Sequence, residues 1–296
     1  MKGPLTFDKR RFRVKSCPCG KSNKDGKFVP YQEYENKGYC HSCDRTFLPN
    51  DGTLADPKNL VKPKPRFKPK EPSFHGSDLQ DEIIRTYNTQ SHNCNLTSFL
   101  LKCFLKDEVE NAANDYCLTG TNHFWPNSTI FWQMDDADRI HAGKIMLYSP
   151  DTGKRVKEPY NHVNWLHNAL KIPDFILEQC LFGLHLVKHR PQDRIGIVES
   201  EKTAILMSVI VPDMVWLATG SKQNLKPQLL SPLRGRELIL YPDRGEYLDW
   251  KAKSEELREK VGKIMVSRLL EEPQGYPKGY DLADLYLNDR TKNKIA

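Results

Sequence analysis

The chain has 296 residues, of which 38% are hydrophobic and 28% charged, a balance that describes a soluble globular protein of one or two ordinary cores with some polar or extended segment. No apolar run approaches the ~20 residues of a membrane span, and Met1-Lys-Gly-Pro-Leu-Thr-Phe-Asp-Lys-Arg10 lacks the apolar stretch of a secretory signal, so the expectation is a cytoplasmic protein with no membrane attachment. The net charge of +7 is held unevenly: residues 1–75 carry 17 Lys and Arg against 8 Asp and Glu, a balance of +9, which leaves −2 for the remainder. A basic leading segment attracts phosphate backbones through counterion release and points to nucleic acid as a partner.

Cys17-Pro18-Cys19-Gly20 and Cys40-His41-Ser42-Cys43 are two short thiol knuckles, separated by Lys27-Phe-Val-Pro-Tyr-Gln-Glu-Tyr34, whose alternation predicts a hairpin strand. That is the layout of a zinc ribbon over residues 1–55: two thiolate turns at the tips of a small sheet, closing on a structural Zn²⁺ whose binding supplies folding energy. The one-residue gap between Cys17 and Cys19 is tighter than usual, and His41 stands as an alternative ligand, although with four thiolates present it is expected to be exposed. Cys94, Cys103, Cys117 and Cys180 are scattered in apolar contexts and read as reduced, buried thiols.

Residues 56–76 alternate proline with cations and predict an extended tether. From residue 77 to 190 the pattern is α+β. Helices are predicted over Asp78 to Tyr87, with Ser77 as N-cap, over Asn95 to Leu105 and over Asp107 to Cys117. Thr129 to Met134, the acidic turn Asp135-Asp-Ala-Asp138, and Arg139 to Tyr148 predict a β-hairpin, and the turn at Pro150-Asp-Thr-Gly153 delivers Lys154, Arg155 and Lys157. His162 and His167 flank Trp165 without carboxylate partners nearby, which reads as a packed indole with hydrogen-bonded histidines rather than a metal site. Phe175 to Val187 predicts an amphipathic helix leading into the last unit, residues 191–296.

In that unit the strands Ile195 to Val198, Met214 to Ala218 and Glu237 to Tyr241 alternate with helices over Lys202 to Val211, Leu225 to Leu230 and Tyr247 to Leu270. The alternation predicts a parallel α/β sheet with right-handed crossovers. Glu199 and Asp243 close the first and third strands, at the carboxyl rim where such sheets place ligands. Thr219-Gly220-Ser221-Lys222 opens on the same rim, and its backbone N–H groups and Lys222 suit phosphate oxygens. A facing pair of carboxylates is how a protein holds Mg²⁺ or Mn²⁺ against a phosphate. No Gly-rich Walker loop is present, so the chain carries no helicase motor of its own.

Val198-Glu199-Ser200-Glu201-Lys202, Leu240-Tyr241-Pro242-Asp243 and Gly279-Tyr280-Asp281-Leu282-Ala283-Asp284 together resemble the glutamate, aspartate and late acidic motifs of the Toprim domain, shared by DnaG-type primases, topoisomerases and some nucleases. The zinc ribbon and hairpin ahead of them are similar to the order of parts in DnaG-type primases. The whole chain also resembles a group of Bacteroidota proteins that pair a zinc ribbon with a Toprim-like domain and are often associated with mobile elements. The resemblance implies metal-dependent primer synthesis on single-stranded DNA, with a replicative helicase or mobile-element replication proteins as further partners. It implies catalytic roles for Glu199 and Asp243, with Asp243 and either Asp281 or Asp284 holding Mg²⁺ while Glu199 binds metal or relays a proton. Lys144, Lys154, Arg155, Lys202 and Lys222 are the implied nucleic-acid contacts, Lys202 alternatively doing no more than solvating its helix. The family's second motif is Asp-x-Asp, whereas Gly245 stands two residues after Asp243. Either Glu246 or Asp249 supplies the missing oxygen, or metal binding is weakened. The alternatives to a primase are a DNA-binding accessory whose fold has lost catalysis, and a nuclease.

Overall fold

The computed structural model describes residues 5–43, 45–49, 92–271 and 276–295, in two compact units, Met1–Pro69 and Lys70–Ala296. The predicted tether over 56–76 and the predicted helix from Asp78 to Tyr87 lie outside the described residues.

In the first unit β1 (Phe28–Pro30), β2 (Gly38–Cys40) and β3 (Arg45–Phe47) form an antiparallel sheet in that order, with Cys40 opposite both Phe28 and Arg45. So small a sheet has little interior: its buried cluster is Val14, Cys17, Phe28 and Cys40, half of it thiols. Buried Asn23 ties the preceding segment to the sheet, donating to the carbonyls of Arg11, Val14 and Phe28 and accepting from the Phe28 N–H at 2.7 Å. One side chain thereby satisfies backbone groups that a larger fold would pair in strands.

The second unit opens with α1 (Asn95–Cys103) and α2 (Lys106–Asp115), followed by an antiparallel sheet of β4 (Thr119–Thr121), β5 (Ser128–Met134), β6 (Ile140–Met146) and β7 (Val163–Trp165), in chain order, with the one-turn helix α3 (Leu166–Ala169) after it. The hairpin turn forms where the sequence places it, the Asp135 carboxylate accepting the N–H groups of Ala137 and Arg139 at 2.9 Å. Both hairpin strands are buried along their whole length. Two layers cause this: Phe131 and Met146 face a cluster shared with α1 and α2, while Ile130, Trp132 and Ile145 face a second cluster that includes Leu166. Antiparallel sheets commonly leave one face to water, and this one does not.

The remaining strands, β8 (Arg194–Val198), β9 (Met214–Ala218), β10 (Leu238–Leu240) and β11 (Ile264–Val266), make an all-parallel sheet in the order β11-β10-β8-β9. Its helices are α4 (Glu201–Ile210), α5 (Pro227–Leu230), α6 (Tyr247–Val261) and α7 (Leu282–Ile295). The period of two sorts its side chains. Ile195, Ile197, Val215, Leu217, Leu238 and Leu240 share a cluster with Trp250, Leu257 and Val261 of α6, whereas Val198, Trp216 and Ile239 share the other with Ala204 and Ile205 of α4 and Leu282 and Ala283 of α7. Burial on both faces is why these strands read as continuous apolar runs. The glycine inside β8 has its own cause: a Cβ on Gly196 would stand 2.5 Å from the Trp216 ring, which lies across the strand.

Two predicted helices come out differently. Phe175 to Val187 is irregular up to Gly183 and then forms a 3-10 helix, Leu184–His189. Phe182 instead exchanges both backbone hydrogen bonds with Ala218 at the outer edge of β9 (3.0 and 3.1 Å), so the unpaired edge claims a segment whose apolar spacing suits a helix. The helix from Tyr247 stops before Gly262, at φ +114°, rather than at Leu270, and the short apolar run after it becomes edge strand β11. An apolar run of three residues carries no periodicity that separates helix from strand.

Candidate functional site

In the first unit, Cys17 and Cys19 lie in a turn closed by the Gly20 N–H on the Cys17 carbonyl (2.9 Å) and the Cys17 N–H on the Lys21 carbonyl (2.8 Å), and Cys40 ends β2. The Sγ atoms of Cys17, Cys19, Cys40 and Cys43 all lie within 4.8 Å of one another, and among the described residues no other group of three or more potential metal ligands does. Four sulfur donors at that spacing fit a closed tetrahedral structural site, with no open position for chemistry. The clustered thiols share protons: hydrogen bonding from Cys17 draws Cys19 down to about 7, while burial pushes Cys17 and Cys43 up. His41 is exposed beside the set, its ring edge-on to Tyr39 at 4.8 Å.

In the second unit the chain runs from β8 to β9 on one side and then crosses to β10 on the other, so the strand order reverses at β8 and a crevice opens between the carboxyl ends of β8 and β10. Glu199 follows the last residue of β8, and Asp243 stands two residues after Tyr241, whose N–H still bonds the Ile197 carbonyl at 2.8 Å. The two acids line a cleft of about 440 Å³ with Ser221, Lys222, Gln223, Glu246, Lys278 and Gly279. Burial, followed by repulsion from Asp281, Glu199, Asp284 and Glu246, pushes Asp243 up to about 8. Burial and Glu246 raise Glu199 against the pull of Lys222 and Lys144 and an N–H donated by Lys222, while burial and Asp281 raise Asp284. Hard oxygen donors that resist ionising together are the donor set a divalent cation relieves, through its charge and its preference for oxygen. The fit is one of donor chemistry and charge: among the described residues only the four thiols are grouped closely enough to hold an ion as they stand.

Asp281 and Asp284 also build the start of α7. The Asp284 N–H donates to Asp281 Oδ1 at 2.8 Å and the Asp281 N–H to Asp284 Oδ2 at 3.3 Å, a reciprocal cap. The Thr203 hydroxyl donates to Asp281 Oδ2 at 2.8 Å and fastens that cap to α4. Gly245 adopts φ +84°, its N–H donates to Glu271 Oε1 at 2.7 Å, and a Cβ there would lie 3.2 Å from Cγ of Lys278. The Lys278 stem thus fills the space beside Gly245, held there by backbone bonds that Arg244 exchanges with Gly279 and Tyr280. Of the two acids expected to stand in, Glu246 lines the cleft and pairs with Lys222 at 3.0 Å, whereas Asp249 is exposed and lies outside the lining.

The basic residues separate. Lys222 is on the cleft, and part-buried Lys202 stands 4.0 Å from Asp281. Lys154 and Arg155 are exposed on the loop after β6, and Lys154 acts on Asp284 through its charge. Lys144 departs from expectation: it is buried, and its ammonium donates to Glu201 Oε1 at 2.9 Å and to the Gly220 carbonyl at 3.1 Å. It occupies the hairpin face that carries Phe131, its cross-strand partner, and that face packs inward instead of meeting solvent. Glu201, which lies in the glutamate motif two residues after Glu199, is the buried partner. No local signal marks such a pair, because its members lie 57 residues apart.

Residues 94–244 match the family described as "Domain of unknown function (DUF6371)", and as that span exceeds half of the chain, the chain belongs to this family. Among solved structures it is similar to the primase fragment of the bacteriophage T7 primase-helicase protein, at 14% identity over 94% of each chain with a TM-score of 0.45. It is similar also to the DnaG catalytic core, at 12% identity over 74% of this chain and 78% of that one with a TM-score of 0.44. A third is the Aquifex aeolicus primase, zinc-binding and RNA polymerase domains, at 16% identity with a TM-score of 0.38; the match covers 64% of this chain and 44% of that one. No curated protein matches the chain.

Proposed function

We propose that this protein is a primase-like nucleotidyltransferase that acts on single-stranded DNA with Mg²⁺ or Mn²⁺, in the replication or mobilisation of DNA in the cytoplasm. In this reading a zinc ribbon over 1–55 is tethered through 56–76 to an α+β region, 77–190, and a Toprim-like sheet, 191–296. The observation that carries it is the placement of Glu199 and Asp243 on one cleft at the carboxyl ends of adjacent parallel strands, at the point where strand order reverses. The motif resemblance around those two acids supports it. A bound divalent ion would lower the pKa of an attacking hydroxyl and offset charge on the transferring phosphoryl group. Asp243, with Asp281 or Asp284, is the holder of that ion, Glu199 a further ligand or proton relay, and Lys222 a contact for phosphate oxygens. A replicative helicase or a mobile-element replication protein completes the proposal as partner.

Ribonucleotide incorporation on single-stranded DNA with Mg²⁺ or Mn²⁺ tests it. The parent is expected to incorporate, and Asp243→Asn to lose incorporation while keeping its circular dichroism and its DNA binding, because a metal ligand acts mainly on the transition state. Undiminished incorporation by Asp243→Asn would exclude the site. The Lys278 stem beside Gly245, a cation where the resemblance calls for a carboxylate, favours a second reading, a DNA-binding accessory without catalysis. A parent that neither extends nor cleaves any template with either ion decides for it.

A further inference from the structure

The loop between β6 and β7 carries a row of rings that the acid cleft does not use. Val156 donates its N–H to the Leu147 carbonyl (3.0 Å) and Leu147 donates to the His162 carbonyl (3.2 Å), so residues 156–162 form a closed loop at the end of β6. The Tyr160 ring stacks on His162 at 4.6 Å and 17°, His162 meets Trp125 edge-on at 5.0 Å, and Trp125 leans on Phe124 at 5.5 Å. The inner rings are anchored: His162 is 7% exposed, and Trp125 packs against the cluster of Ile130, Ile145 and Leu166. The outer rings are exposed, Tyr160 at 57% and Phe124, which also meets His123 edge-on at 6.0 Å, at 40%. A row that served only to prop the loop would end in covered rings.

A further observation favours a ligand with negative charge. Exposed Lys157 precedes Tyr160 by three residues, so its Cα lies within about 11 Å, and exposed Arg155 precedes it by five. Lys154, in the same run, lies near enough for its charge to act on Asp284.

We infer that this surface binds the unpaired bases of a single-stranded nucleic acid, Tyr160 and Phe124 each offering an outer face to a base while Arg155 and Lys157 meet the phosphates. Exposed rings beside cations are the combination that grips single strands with little sequence preference. A duplex does not fit, since its bases already stack on one another. The inference rests on the proposed function only in running the strand toward the cleft; binding itself involves no catalytic residue.

Fluorescence anisotropy with labelled oligo(dT), oligo(rU) and a duplex, each of about 15 nucleotides, on the full chain without added divalent ion tests it. Tyr160→Leu and Phe124→Leu are each expected to weaken both single strands between about fivefold and a hundredfold, with an unchanged salt slope and melting temperature. Arg155→Ala with Lys157→Ala is expected instead to reduce the salt slope by about 1.4, at ~0.7 per lost phosphate contact. Unchanged affinity in the Tyr160→Leu, Phe124→Leu double variant overturns the inference, as does equal affinity for the duplex or a parent that binds no strand. Self-association of the parent that the double variant loses, with its oligonucleotide affinity intact, also overturns it and assigns the surface to a second copy of the chain. Asp243→Asn, which tests the cleft, is expected to bind oligo(dT) as the parent does, so a failure of catalysis and a failure of this surface read out separately.

Discussion

Lys144 reaches from β6 to the first turn of α4, where its ammonium meets Glu201 with side-chain exposures of 11% and 2%. Its second bond, to the Gly220 carbonyl, steadies the turn that carries Lys222 to the cleft. Removing one member of such a pair leaves the other buried and uncompensated, at about 3–5 kcal/mol, whereas replacing both by apolar residues is often nearly neutral. Lys144→Met is therefore expected to lower the denaturation midpoint sharply, and Lys144→Met with Glu201→Leu to restore most of it. A double variant no more stable than the single would assign the loss to packing instead. Asp243 makes a different prediction, from the sign of its shift. A carboxyl raised from 3.8 to about 8 keeps a proton in the folded state that the unfolded chain has released between those values. Stability then falls as pH rises through that window and loses nothing further above it. Melting temperature is expected to drop from about pH 5 to about pH 8 in the parent, less steeply in Asp243→Asn, with Mn²⁺ restoring the parent most at the upper end. Identical slopes for the two proteins would mean that the carboxylate is already ionised.

The first unit's sheet shows what so few residues can and cannot do. With thiols making up half of its buried cluster, β1 to β3 gain little from apolar burial, and a metal held by the four thiols would supply stabilisation that burial does not. Protein purified without chelator is expected to contain about one zinc per chain by elemental analysis. Cys40→Ser should lose the zinc and the first unit's protease resistance while the second unit melts as before; a zinc-free parent ends the proposal. The elements differ in how far sequence revealed them. β8 and β9 were legible because buried parallel strands read as unbroken apolar runs closed by polar residues. The segment ending at Phe182 was not, because its apolar spacing serves a helix and an edge pairing equally well, and only the free edge of β9 chose between them.

Across the molecule, charge and chemistry are divided. The balance of +9 sits in residues 1–75 while the cleft in the second unit is acidic, so most of the net charge that attracts a polyanion lies outside the unit of the proposed reaction, where Lys222, Arg155 and Lys157 add local contacts. Deleting residues 1–75 is expected to weaken single-stranded DNA binding and flatten its dependence on salt; unchanged affinity and slope would make that charge irrelevant to binding. Sequence alone was enough to place the four thiols in two knuckles and to put Glu199 and Asp243 at strand ends, because each of these facts is carried by a few contiguous residues with a local period or spacing. It could not set β8 beside β10, bury Lys144, or lay the Lys278 stem beside Gly245. Those depend on how layers close over one another, between residues too far apart along the chain for any local pattern to register.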